Sequence, residues 1–530
     1  MSTGIGFGNW EPDVPDAATT DHVREKDGEH HPVNRRTFTR WLGLGSAAAV
    51  FALNDVGRAT GAQRGADSGS VPMSRTAPPW PRTGTTDDYL AREGPYFRRI
   101  ATLFTLDRRV PYMSPGQKGS MPISVMKRLK GGLDQIARDP FPIYLEPSQD
   151  TRRKIARSYG AREDEIAISR NATDAISLIL SGLDWQPGDE ILASTMEYPN
   201  CVATLLRVAA RFKLTIRQFG IPTSHDSTAQ EVVESVRRQI RPGKTRVIFF
   251  SCPIQPIGMM MPARRIAALA QEHGITTVID GAHYGGQFVP RLDEMGIDFW
   301  GISGHKWQCG PGGTGILYVR NAALLANPAP LPRFHLVRSG QLDTPLDGSR
   351  PEGFDIGAAL SVYGFPESAD WRALGEVCVL WDRIGRERIQ NYTLALADHF
   401  RARIARAFGE QALLQPLHDP ELLCGIIAFN PFPEAAQRRD AELCARFRER
   451  LFAEHGYRIG GEGLGPGGLT RPPDPDAAAF PDGCIPNRDP VTNAPAPTDY
   501  PMRINGFIWN QRHDIDRLIS ACQDVLKTMI

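Results

Sequence analysis

The chain has 530 residues, 41% of them hydrophobic, with 61 Lys and Arg set against 60 Asp and Glu for a formal net charge of +1. That length buries a large core and predicts two or three domains, while the even charge balance, with no basic stripe, argues against a nucleic-acid partner. Eight cysteines without a C-x-x-C spacing point to neither a metal site nor a disulfide framework, and no internal repeat is visible.

The first signal along the chain is a leader. Residues 34–40 (NRRTFTR) precede an apolar run over 41–53 (WLGLGSAAAVFAL), and Thr60, Gly61 and Ala62 then offer a small-residue cleavage point before Gln63. The run is too short and too rich in small residues to anchor in a bilayer, and the pattern resembles a twin-arginine export signal. Residues 1–62 are therefore expected to be a signal peptide with a long polar N-region. The twin-arginine translocation machinery would be a transient partner, and the mature protein would be periplasmic or secreted with no membrane anchor. Residues 63–87, rich in Ser, Pro, Gly and Thr, read as a linker.

An N-terminal segment follows over 88–146, containing Tyr112-Met113-Ser114-Pro115-Gly116. From 147 to 335, strand-like runs alternate with helical patterns, which predicts an α/β fold: a parallel sheet covered by helices on both faces. Residues 165–169 (EIAIS) read as its first short strand. Arg170-Asn171-Ala172-Thr173-Asp174 then leads into the apolar helix pattern of 175–180. A helix N-terminus offers free amides to an anion, and the Thr173 hydroxyl adds a donor. An ordinary N-cap by Asn171 or Thr173 has the same appearance, and only the register with a later lysine motif separates the two. Strands are expected at 191–194, followed by Glu197-Tyr198-Pro199-Asn200, and at 247–250, followed by SCPIQPIGMMMP with Cys252 and Gln255.

The most informative run is TVIDGAHYGGQFVPRLDEMGIDFWGISGHKWQCGPGGTGILYVR, which holds Asp280, His283, Ser303, His305 and Lys306. The stretch 276–279 reads as a buried parallel strand, so Asp280 emerges at its carboxyl end, where open α/β sheets place their ligands. A lysine amine that forms a Schiff base and an acid that keeps a pyridine nitrogen protonated are the two groups pyridoxal 5'-phosphate requires. Desolvation and a neighbouring cationic ring should lower the Lys306 pKa and make its amine nucleophilic near neutral pH.

Residues 336–530 are expected to form a smaller α+β domain interrupted by a Gly/Pro-rich insertion over 460–500, a length that marks a lid or a disordered loop. The insertion contains Cys484, a candidate thiol. After it, 502–510 (MRINGFIWN) leads into the last helix, and the planar guanidinium of Arg503 suits a substrate carboxylate.

From about Tyr112 to the C-terminus these motifs resemble the class V aminotransferase branch of fold-type I pyridoxal-phosphate enzymes, which includes cysteine desulfurases and isopenicillin-N-epimerase-like proteins. The resemblance implies that Ser303 and His305 hold the cofactor phosphate before Lys306, as in S-x-H-K, together with Ala172, Thr173 and Asp174. It implies that His283 lies near the cofactor's ring oxygen, that Tyr198 stacks on its ring and that Gln255 meets cofactor or substrate. Cys252 stands where a His is usual. Arg503 would clamp an amino-acid carboxylate, and a homodimer is expected. Two departures stand out. The desulfurases' His-Cys loop is missing at 457–463 (YRIGGEG), and Phe365 occupies the place of a Thr that reaches the partner subunit's phosphate.

The resulting expectation is an exported pyridoxal-phosphate enzyme acting on an amino acid or an amino-acid-derived metabolite, as an aminotransferase or epimerase-like enzyme. The alternatives are a lyase, desulfurase-like or decarboxylating, or a non-catalytic binding protein on the same fold. For the leader, joint replacement of Arg35 and Arg36 by Lys is expected to hold the precursor in the cytoplasm. Cell fractionation checks this, and normal export of the double variant would remove the reading.

Overall fold

The computed structural model describes residues 85–140, 145–321, 331–337, 345–351, 353–361, 364, 368–460 and 499–530. The leader, nearly all of the linker, Phe365 and Cys484 lie outside the described residues. All described residues belong to one compact unit, Thr76–Ile530.

Helices α1 (Thr86–Ala101), α2 (Ile123–Arg138) and α3 (Leu145–Tyr159) come first. Helix α1 begins with a Thr85–Asp88 capping box, which satisfies two of its otherwise unpaired amides. It packs on the later helix α10 through Phe97, whose ring stacks on Tyr392 with centroids 3.7 Å apart. The central run is β1 (Ile166–Ser169), α4 (Ala172–Gly182), β2 (Glu190–Ser194), α5 (Pro199–Phe212), β3 (Thr215–Phe219), α6 (Ala229–Gln239), β4 (Thr245–Ser251), α7 (Ala263–Glu272), β5 (Thr276–Asp280), β6 (Phe299–Ser303) and β7 (Gly315–Val319). Helices α8 (Ile356–Ser361), α9 (Ser368–Ile384) and α10 (Arg386–Phe408) follow. The chain then runs through β8 (Ile426–Phe429), α11 (Ala435–Arg438), α12 (Ala441–His455), β9 (Met502–Asn505) and α13 (Arg512–Lys527). Helices α9 and α10 are separated at Gly385, whose φ of +96° favours glycine.

Seven strands form one sheet in the order β1-β7-β6-β5-β4-β2-β3. The pairs from β3 through β6 are parallel, but β7 runs antiparallel to both β6 and β1. The all-parallel expectation therefore fails at one strand. The β6–β7 connection, residues 304–314, contains no helix, and a parallel crossover needs a dozen or more residues and usually a helix. The chain has to turn back instead, pairing Ser303 with Gly315.

The sheet is buried on both faces because successive side chains point opposite ways. Val247 and Phe249 join one apolar cluster with Ile176 and Ile179 of α4, whereas Ile248 and Phe250 join the other with Ile266 of α7. A second, two-stranded sheet pairs β8 with β9 antiparallel, setting Arg503 opposite Ala428.

Close backbone approach fixes the path of the 281–308 region. Gly286 has φ +93°, and a Cβ there would fall 2.2 Å from the Trp307 carbonyl carbon. Backbone cannot yield as a flexible side chain would, so Gly286→Ala combines left-handed strain with overpacking. It should destabilise the protein by about 2–4 kcal/mol, to be read as a lowered midpoint in denaturant unfolding of the purified variant.

Candidate active site

Three chain turns at the carboxyl ends of neighbouring strands build the site. Strand β5 ends in Asp280, only 5% exposed. Its Oδ1 accepts the Ala282 N–H at 2.9 Å, and its Oδ2 accepts the Cys201 thiol at 3.2 Å. Burial raises the Asp280 carboxyl above the usual carboxylate range, and the Lys306 charge works against that rise.

Lys306 lies just past β6, on the connection that turns back into β7. Burial lowers its ammonium pKa, with Asp280 opposing and Arg503 adding to the effect. Its Nζ stands 3.1 Å from His283 Nε2 and 5.7 Å from the centroid of the Tyr198 ring. The tautomer of His283 follows from its other neighbour. Trp307 Nε1 can only donate, and it lies 3.2 Å from His283 Nδ1, so that nitrogen carries the lone pair. Burial, then Lys306 and Arg503, hold His283 well below its ordinary pKa, so the ring is neutral with its proton on Nε2. That N–H faces Nζ, and burial disposes the lysine amine to give up its proton. Sequence reading had set His283 near the cofactor's ring oxygen; here it lies against Lys306 itself.

Arg503 comes from the small sheet. It is 7% exposed, makes no ion pair among the described residues, and leaves its Nε without a hydrogen-bond partner. Burial, then Arg448, pulls its pKa down to about 10. The Gln255 amide oxygen, once the side-chain amide is turned to satisfy both partners, accepts from the Arg503 guanidinium. Two cavities adjoin here. One is lined by Tyr198, Asp280 and Lys306, the other by Ser114, Arg503 and Asn505, and Gln255 and His283 line both.

The remaining expected residues divide. Ser303 ends β6 and is buried; His305 follows with a buried Nδ1 that has no partner. Asn171 caps α4 by accepting the Asp174 amide at 2.8 Å, so that amide is taken, and the Asp174 carboxylate turns back onto Arg170. The amides of Ala172 and Thr173 make no hydrogen bond among the described residues. The start of α4 packs on the sheet near the lysine turn, since a Cβ on Gly301 would meet the Ala172 carbonyl at 3.0 Å. Two open amides and an orphaned imidazole nitrogen suit a phosphate, and a buried acid with a lysine whose pKa burial lowers suits a pyridine aldehyde. The residues present therefore fit pyridoxal phosphate.

Sequence reading passed over several groups. Glu197, directly before Tyr198, is buried: its Oε1 accepts the Ser251 N–H at 3.1 Å and contacts Ser194 Oγ, while Oε2 lies 2.5 Å from Ser251 Oγ. An acid following a strand looks like a solvated turn residue, so only its place between two serines could have flagged it. Gly119 was also missed. Its amide donates to the His305 carbonyl at 2.8 Å, and a Cβ there would strike the Lys306 carbonyl oxygen.

The model of the family "Aminotransferase class-V" matches residues 145–431. The chain belongs to the class-V aminotransferase family. Isopenicillin N epimerase of Streptomyces clavuligerus is 30% identical over 356 residues, spanning 65% of this chain and 86% of that protein. Hercynylcysteine sulfoxide lyase of Schizosaccharomyces pombe is 26% identical over 242 residues, 43% of this chain and 59% of that one. Among solved structures, a lysine-to-alanine mutant of C-DES with glycine covalently linked to its PLP cofactor superposes with a TM-score of 0.59 at 20% identity, covering 79% of this chain and all of that one. The fold is therefore fold-type I, and pyridoxal phosphate is the cofactor of this class-V protein.

Glu197 makes stability depend on pH. Burial first, and the Asp280 charge as well, push its carboxyl up to about 8 against the serine hydrogen bonds. Below about pH 4.5, folded and unfolded chains both carry the proton. As pH rises toward 8 the unfolded chain ionises first, so this contribution to stability declines and levels off beyond about 8. Denaturant unfolding between pH 5 and 8 should show that slope, and Glu197→Gln should flatten it.

Proposed function

We propose that this class-V enzyme moves the α-proton of an amino acid, or of a metabolite bearing an amino-acid group, in an epimerase-like reaction, with aminotransfer as the second outcome open to the same residues. The observation that carries the reading is the pairing of a buried Arg503, without an ion pair among the described residues, with a buried Lys306 of lowered pKa across two adjoining cavities. When bound, pyridoxal phosphate supplies an electron sink for a bond broken at the α carbon.

Each residue then has a role. Asp280 would stabilise a proton on the ring nitrogen, and Tyr198 would offer a π face to the cationic ring. Lys306, its pKa lowered by burial and its amine contacted by the His283 N–H, would hold the cofactor and serve as the base that takes the α-proton, and inversion then requires a proton delivered to the opposite face. Arg503 would grip the substrate carboxylate through two parallel hydrogen bonds and so fix the orientation of the α carbon. His305, Ser303 and the first amides of α4 would receive the phosphate.

The kinship with isopenicillin N epimerase favours the epimerase-like branch. Curated relatives also include cysteine desulfurases, which would require a reactive thiol. The seven described cysteines are all buried, and burial raises Cys201, Cys252 and Cys309 around this site. A buried, protonated thiol is a poor nucleophile. A homodimer and export through the twin-arginine route belong to the same proposal, the first resting on the family and the second on residues 34–62 alone.

The test is to add candidate amino acids to the purified enzyme without a keto acid, following the visible band and the configuration of the substrate. A band that returns while the α carbon inverts supports epimerisation; lasting loss of the band assigns aminotransfer; no change with any amino acid removes the reading. Arg503→Ala is expected to raise KM at least about 100-fold, as loss of a charge-assisted pair implies, while the cofactor stays bound. Loss of the cofactor instead would overturn the carboxylate role.

A further inference from the structure

The turn that opens α5 carries two groups aimed at the cofactor pocket, and only one of them has a role so far. Tyr198 is the N-cap residue, with the Cys201 and Val202 amides donating to its carbonyl at 2.9 and 3.0 Å. Pro199 holds the first helical position, where its fixed φ suits the helix. Cys201, three residues after Tyr198, therefore lies on the same side of the turn, fully buried, with its Sγ 3.2 Å from Asp280 Oδ2.

We propose that Cys201 is a positioning residue that acts through Asp280: its S–H fixes one carboxylate oxygen, so a single helical turn sets both the ring face and the partner of the ring nitrogen. This rests on Asp280 serving that nitrogen. A carboxylate closed off from water needs donors on both oxygens. Ala282 supplies one to Oδ1 and Cys201 supplies the other to Oδ2, and burial beside Asp280 keeps the thiol protonated and able to donate. The turn is anchored from behind as well. Glu197 is tied to Ser194 and Ser251, and Ser251 lies directly across from Asp280 in the β4–β5 register. The choice of a thiol has a consequence, because S–H is a weak donor. It orients Oδ2 while drawing off less of its charge than a hydroxyl or amide would, which leaves the carboxylate basic toward a protonated ring nitrogen.

The test uses the holoenzyme and four variants: Cys201→Ala, Cys201→Ser, Asp280→Asn and the double variant Cys201→Ala/Asp280→Asn. Two quantities are read, the rate of cofactor loss and the position of the visible band. Cys201→Ala should lose cofactor about fivefold faster, the order expected for one weak-donor hydrogen bond to an ion, with a shifted band. Cys201→Ser should restore retention of the cofactor while leaving the band displaced, since a hydroxyl draws more charge from Oδ2, and the double variant should be no worse than Asp280→Asn alone. If the alanine cavity unfolds the helix, Cys201→Val fills the space without a donor and takes its place. Alanine and valine variants that match the wild type in both readouts would overturn the proposal. So would an equal loss in the Asp280→Asn background, which would reveal a purely structural role. Lys306→Ala keeps the two readings apart: a visible band that survives it removes the cofactor site as a whole, whereas a Lys306-dependent band with silent Cys201 variants removes only this inference.

Discussion

Burial of Asp280 and Lys306 at the ends of adjacent strands is the constraint on which the site depends. Two opposite charges in a water-poor pocket interact far more strongly than in solvent, and each also carries a desolvation penalty that favours its neutral form. The fold shifts that balance with particular neighbours. Asp280 receives two donors and a nearby cation. Lys306 receives a neutral imidazole whose only free proton points at it, and a second cation at Arg503 that discourages a further proton. The acid is thus equipped to hold charge and the amine to lose it, a division that covalent capture of an aldehyde and proton transfer both require.

The backbone makes that arrangement rigid. The β6–β7 connection carries Lys306 and turns back instead of crossing over, so the lysine sits in a tight loop closed by the Gly310 amide on the Gly304 carbonyl at 2.7 Å. From outside, Gly119 and Gly286 press against the same loop with no room for a side chain. A base whose amine has to address one substrate carbon gains from such confinement, because small misplacements are expensive in rate.

Much of this could be read from the residues in order. The strand before Asp280 is apolar and β-branched, and the spacing to Ser303, His305 and Lys306 is that of a family motif, so the acid, the lysine and the candidate phosphate element are legible in the sequence. Arg503 was legible for the same reason. What escaped were features that exist only in three dimensions. The reversed β7 follows from the lack of a helix in the loop before it, a length argument overlooked beside the strand pattern. Glu197 reads as a surface acid until β4 brings Ser251 against it. Gln255, expected to meet cofactor or substrate, lines the pocket with Asp280 and Lys306 and also reaches Arg503, because β9 of the other sheet delivers a guanidinium there. Asp174, expected near the phosphate, turns its carboxylate onto Arg170, which lies four residues before it and ahead of the helix.

The seven described cysteines have a consequence beyond the site. Every one is buried, and burial lifts Cys378 and Cys424 to about 12, leaving almost no thiolate at neutral pH. Disulfide exchange and alkylation both proceed through the thiolate, so the folded core is chemically quiet in reducing and oxidising surroundings alike. Local opening is what would make these sulfurs reactive. Labelling rates at the described cysteines thus amount to an intrinsic clock of how often each part of the core breathes, with Cys201 timing the cofactor-side turn and Cys522 timing the terminal helix.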